Sequence, residues 1–114
     1  MRVAAIQMNS GPDVAANLEL AERLIAEAAD DDCRLVALPE NFALMGERGR
    51  DKARYAEQPG EGPIQAFLAA AAARHHVWIV AGSMPLVSPE IRNDRVYGAC
   101  PVYDDGVDQR ALYR

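Results

Sequence analysis

Apolar and polar positions along the chain follow two periods, one suited to strands and one to helices. Val3 to Met8 is apolar apart from Gln7 and runs into Asn9-Ser10-Gly11-Pro12-Asp13, so it predicts a strand leading into a helix. From Val14 to Ala29 the residues Val14, Leu18, Ala21, Ile25 and Ala28 recur at three- and four-residue steps, with Glu19, Glu22, Arg23 and Glu27 between them. That spacing predicts a helix with one packed and one wet face. The triplet Asp30-Asp31-Asp32 opposes the negative end of the helix dipole and marks a solvated turn. Three consecutive carboxylates on a tight turn cannot easily converge on one cation, so no metal is expected there.

Leu35-Val36-Ala37-Leu38 is a continuous apolar run, the pattern of a strand covered on both faces. Pro39 holds Leu38 extended and discourages an immediate helix. Gly46 to Gly62 is charged and contains Pro59-Gly60, which predicts a surface connection with one helical turn around Lys52 to Ala56. Pro63 suits a first helical position, and Ile64, Phe67, Leu68, Ala71 and Ala72 form the apolar stripe of a second helix ending near Arg74-His75-His76. Val77 to Gly82 is a further strand, continued from Met84 to Val87 across Pro85. Ser88 to Asp94 has turn chemistry, and Val96 to Tyr103 is the return strand of a hairpin. Pro101 cannot donate to a ladder, so this strand is expected at an edge or bulged. Asp104-Asp105-Gly106 is a turn signal, and Gln109 to Tyr113 begins another strand.

This order places the chain in the α/β class, a mixed sheet with helices against it. Length allows one domain, residues 1–114, and no internal repeat is present. Ending inside a predicted strand, with no polar tail, leads us to expect an incomplete domain. Twelve basic against 17 acidic residues give a formal net charge of -5, which argues against nucleic acid as a partner. No apolar run approaches the roughly 20 residues of a membrane span, and the first residues turn polar too early for a signal peptide. A cytoplasmic protein without membrane partners is expected. Cys33 and Cys100 are widely separated in apolar stretches, and we read both as reduced, buried, structural thiols. His75 and His76 lack the spacing of a helical zinc site and are expected to be a solvated cap.

In open α/β sheets, active-site groups gather beyond the carboxyl ends of strands. Glu40, in Leu38-Pro39-Glu40-Asn41-Phe42, occupies such a place. A carboxylate held beside Phe42 and Leu44 would be partly desolvated, a setting that suits a general base. The plain alternative is an exposed loop glutamate that caps a following turn.

Five ordered blocks extend this reading: Arg2 to Met8, Asn17-Leu18, Leu35 to Phe42, Gly62-Pro63-Ile64-Gln65 and Val80-Ala81-Gly82-Ser83. Together they resemble the opening blocks of the nitrilase superfamily of carbon-nitrogen hydrolases. Glu40 to Gly46 is most similar to the bacterial Nit-like amidases. The resemblance implies a four-layer α-β-β-α sandwich, of which residues 1–114 would be the truncated N-terminal part of a single carbon-nitrogen hydrolase domain, a mixed sheet with helices on one face, and a Glu-Lys-Cys triad without cofactor or metal. In that chemistry a thiolate attacks an amide or nitrile carbon, the glutamate takes the thiol proton and later activates water, and the lysine stabilises developing charge. Glu40 matches the family's glutamate. The lysine belongs to a block Tyr-Arg-Lys-x-His-Leu-Phe, and this chain ends on Tyr113-Arg114, so lysine and nucleophile both fall outside it. Neither Cys33 nor Cys100 matches the nucleophile's motif. Two departures weaken a strand: Gly98 stands where asparagine is usual, and Pro101 where an aliphatic residue is usual.

The resemblance thus implies hydrolysis of a small-molecule amide, or of a nitrile, by a homo-oligomeric enzyme when complete. A small ω-amide or a deaminated glutathione-like compound is the substrate it suggests. The 114 residues alone are expected to be inactive. The competing reading is a non-catalytic α/β module that acts through protein association, driven by open strand edges and an uncovered apolar face.

Overall fold

A computed structural model describes residues 1–45, 54–87, 96–106 and 109–113. The elements are β1 (Arg2–Ala5), α1 (Val14–Asp30), β2 (Cys33–Leu38), α2 (Pro63–His75), β3 (Trp78–Ala81), β4 (Met84–Val87), β5 (Val96–Tyr103) and β6 (Gln109–Tyr113). They follow the order read from the sequence, with β1 shorter than the apolar run that announced it. The Ser88 to Asp94 turn lies outside the described residues, as does part of the Lys52 to Ala56 turn.

Helix α1 starts where Asp13 accepts the Ala16 N–H at 3.2 Å, a side-chain cap. It stops in the acidic turn, where Asp32 takes a left-handed φ of 62°. Asp31 there pairs with Arg2 at 2.9 Å across exposed surface, a contact of little energetic weight. Helix α2 has Pro63 in its first turn and ends on His76, left-handed at φ 56°. The two helices are tied together where Glu22 Oε1 accepts from Arg74 Nη1 and meets His75 Nε2, each at 2.7 Å. His75 is therefore half-buried between the helices rather than a solvated cap, because Glu22 on α1 faces it.

The strands form one six-stranded sheet in the order β1-β2-β3-β5-β4, with β6 on the other side of β5. β1, β2 and β3 are parallel, and β5 is antiparallel to β3, β4 and β6. β3 and β4 both run along β5, with a one-residue change of register across Gly82-Ser83, so they are one strand broken at that point. Pro101 sits inside β5, not at an edge. The β5–β6 register slips at Val102/Tyr103, immediately after it, and the β3/β4 break lies near it on the other side.

Both helices cover one face. Val36, Ile79 and Tyr103 form a row across β2, β3 and β5 that is buried with Ile25, Leu68 and Ala71 of the helices. On the other face Val3, Leu35 and Trp78 form a row, and Ala5, Ala37, Val80, Val102 and Ala111 form the next. Val3 is 59% exposed and Trp78 38%, so β2 is covered on one side only. The expectation of a strand covered on both faces is corrected: helices lie on one face, and nothing among the described residues packs on the other. No helix among these residues is long and apolar enough to cross a membrane.

Candidate active site

β2 delivers Leu38 and Pro39 to the carboxyl edge of the sheet, and Glu40 follows in a turn. Asn41 is left-handed at φ 56°, which reverses the chain just after the glutamate. The turn is then braced from three directions. Asn41 N–H donates to Ser83 O at 3.1 Å and also approaches Ser83 Oγ at 3.3 Å. Ser10 Oγ donates to Phe42 O at 2.7 Å, and Met45 N–H donates to Gly11 O at 3.0 Å. From α1, Asn17 Nδ2 donates to Ala43 O and to Gly11 O, both at 2.8 Å, while its Oδ1 accepts from Gly11 N at 3.0 Å.

Gly82 permits the closest of these approaches. A Cβ there would lie 1.8 Å from Leu38 O, so only glycine lets the end of β3 pass directly over the end of β2. The reversal at Asn41 turns Phe42, Ala43 and Leu44 fully into the core. It leaves Glu40 exposed, with no hydrogen bond or ion pair to its carboxylate among the described residues. The partial desolvation by Phe42 and Leu44 expected from the sequence is therefore absent in this chain. Those side chains fill the core beneath the turn instead of surrounding the carboxylate.

Strand direction decides what else reaches this edge. β6 is antiparallel to β5, which is antiparallel to β3, so β6 runs in the same direction as β2. One row of the sheet links Ala37, Val80, Val102 and Ala111. Glu40 lies three residues beyond Ala37, and Tyr113 two beyond Ala111, so both strands exit at one edge. Three strand spacings separate them, about 14 Å.

Cys33 begins β2, at the far end from Glu40, and is buried. Cys100 lies on β5, half-buried, and burial pushes its thiol up from its ordinary value. A nucleophilic cysteine needs the opposite shift.

The sequence reading missed a second carboxylate. Glu57, within the stretch read as a surface connection, is only 7% exposed. Its carboxylate accepts from Ile64 N, from Gln65 N at 3.0 Å and from Gln65 Nε2 at 3.1 Å, so it closes the N-terminus of α2 from outside the helix. Its backbone pairs with β4: Glu57 N–H donates to Pro85 O at 3.3 Å and Val87 N–H to Glu57 O at 2.9 Å. Gln65 completes the hub by donating to Gln58 O and Glu61 O and accepting from Gly60 N. The signal available in the sequence was Gly62 before Pro63. A helix start whose capping position has no side chain needs its donors satisfied from elsewhere. Tyr103 lies near this hub, and burial first, then the Glu57 charge, push its phenol up to about 12.

With this geometry in place, the comparisons with known proteins define the class. The Carbon-nitrogen hydrolase family model matches residues 2–114. The deaminated glutathione amidase of Yersinia enterocolitica is 33% identical over 111 residues, which are 97% of this chain and 38% of that protein. The deaminated glutathione amidase of Synechocystis sp. (strain PCC 6803 / GT-S) is 40% identical over 82 residues, 72% of this chain and 29% of that protein. Among solved structures, Saccharomyces cerevisiae Nit3, a member of branch 10 of the nitrilase superfamily, superposes with a TM-score of 0.79 at 26% identity. It aligns with 93% of this chain, which covers 40% of Nit3. The C. elegans NitFhit protein gives 0.83 at 23% identity, over 97% of this chain and 26% of that one. The chain belongs to the carbon-nitrogen hydrolase family of the nitrilase superfamily. It spans less than two-fifths of the length of the curated relatives it matches.

Proposed function

We propose that this chain contributes the general base, Glu40, to hydrolysis of a carbon-nitrogen bond in a small amide. The observation that carries the reading is the common edge: β6 runs in the same direction as β2, so Tyr113 ends its strand at the side of the sheet that holds Glu40, the side from which a lysine of the family block would have to act. The bracing of the Glu40 turn supports it, since a base must be held within a fraction of an ångström of its partner. Glu40 would take the proton of a cysteine thiol supplied outside these residues and later activate water on the acyl-enzyme. The family's second sheet would pack on the open apolar face carrying Val3, Leu35 and Trp78, covering Glu40 and supplying the desolvation that this chain lacks. The curated relatives favour an amide over a nitrile, and a deaminated glutathione-like amide within that class.

The 114 residues alone are expected to show no turnover. A chain extended through the Lys-x-His-Leu-Phe block and the nucleophile should hydrolyse amides, and Glu40→Gln in it should lower kcat about 10³-fold. Turnover by the 114-residue chain, or an extended Glu40→Gln enzyme with unchanged kcat, would overturn the proposal.

The exposed apolar face also favours a second reading, a module that acts by associating with another protein. Sedimentation of the isolated chain separates the two: a stable monomer that does not take up a hydrophobic dye argues against association.

A further inference from the structure

Asn17 occupies a place where helix physics favours another residue. It lies on the buried stripe of α1 with Ala21, Ile25 and Ala28 and is only 4% exposed. An apolar side chain there would add to the core, and asparagine is a poor helix former. None of its three side-chain hydrogen bonds serves the helix: all go to Gly11 and Ala43, in the loops that follow β1 and β2. Both donors and one acceptor are used, a combination that an amide supplies and a carboxylate of the same shape does not.

We propose that Asn17 is the positioning residue of the Glu40 site. The inference rests on the reading of Glu40 as general base and assigns Asn17 a role that acts through the backbone. Asn41 N–H on Ser83 fixes the near side of the turn, and Ala43 O on Asn17 fixes the far side. Together they pin the backbone that follows Glu40 at two points, Asn41 and Ala43. The same amide ties Gly11 to Ala43, so the loops after β1 and β2 move as one body with α1.

The experiment compares Asn17→Ala, Asn17→Asp, Ile25→Val and Glu40→Gln in the chain extended to include the family's lysine and cysteine, with amide hydrogen exchange and steady-state amide hydrolysis as readouts. Asn17→Asp keeps the shape but turns a carboxylate toward two carbonyl oxygens. Both Asn17 variants should speed exchange at the bonded amides of Gly11, Asn41 and Met45 at least about tenfold, leave Val36 and Val80 protected, and lower kcat about 30-fold with KM within about twofold. Ile25→Val, a loss of packing on the same stripe, should leave kcat unchanged. Equal loss of kcat in Ile25→Val at a matched melting temperature overturns the proposal, as do folded Asn17 variants with full kcat. If neither Asn17 variant folds, Asn17→Ser, which is too short to span to Ala43, carries the same expectations and the same refutation. Glu40→Gln separates the two claims: wild-type activity there removes the general-base reading, whereas an inactive Glu40→Gln beside fully active Asn17 variants removes only the role of Asn17.

Discussion

Glu40 and Glu57 are carboxylates 17 positions apart, and the fold treats them oppositely. Glu40 is exposed and has no bond to its carboxylate among the described residues, on a backbone held by Ser83, Ser10, Gly11 and Asn17. Glu57 is buried, and its side chain does the holding, closing α2 while its backbone pairs with β4. A carboxylate that accepts several N–H bonds at a helix N-terminus is spent on structure. One held in place but left without partners is available for a reaction.

The sharpest way to break this contrast is Gly82→Ala. Its methyl group would collide with Leu38 O and separate β3 from the end of β2, so we expect a loss of about 3 kcal/mol or a failure to fold, read by denaturant unfolding. Glu57→Gln should cost about 2 kcal/mol, because whichever way the amide lies its NH2 faces a donating backbone N–H, that of Ile64 or that of Gln65. Glu40→Gln should change stability by less than about 0.5 kcal/mol in the isolated chain, since the exposed carboxylate has no bond among the described residues. Equal destabilisation by the two substitutions would erase the distinction between them.

The smallest effect is alkaline. The folded chain holds the Tyr103 proton up to about pH 12, whereas the unfolded chain releases it near pH 10. The folded state therefore binds more protons between these values, and stability contributed by the neutral phenol falls as pH rises through that window. Tyr103→Phe should flatten the decline, measured by thermal melting across it. Glu57→Gln should lower the Tyr103 midpoint in a spectroscopic titration, because part of the shift comes from the Glu57 charge.

Much of the fold was legible because periodicity and turn chemistry are local. The helix from Val14, the helix from Pro63 and the strand from Val96 to Tyr103 are bounded by residues whose preferences act within a few positions: Asp13 as a cap, Pro63 in a first turn, Gly106 in a turn. The place of Glu40, just past the end of β2, was legible for the same reason. Its exposure was not. It follows from the left-handed Asn41 and from contacts with Ser83, 42 residues away. Glu57 was misread because charged composition predicts solvent, and the donors that bury it lie on α2 and its partner strand is β4.

The sequence by itself determined the α/β order of elements, the buried stripes of both helices and, through its ordered blocks, the family. These depend on near-neighbour spacing and on residue identity. Tertiary structure alone decided that the face of the sheet away from the helices is open, that Asn17 and Ser83 both bond the backbone of the Glu40 turn, and that Glu57 is structural. Each of those follows from hydrogen bonds and packing between segments distant in the chain, whose pairing no local pattern specifies.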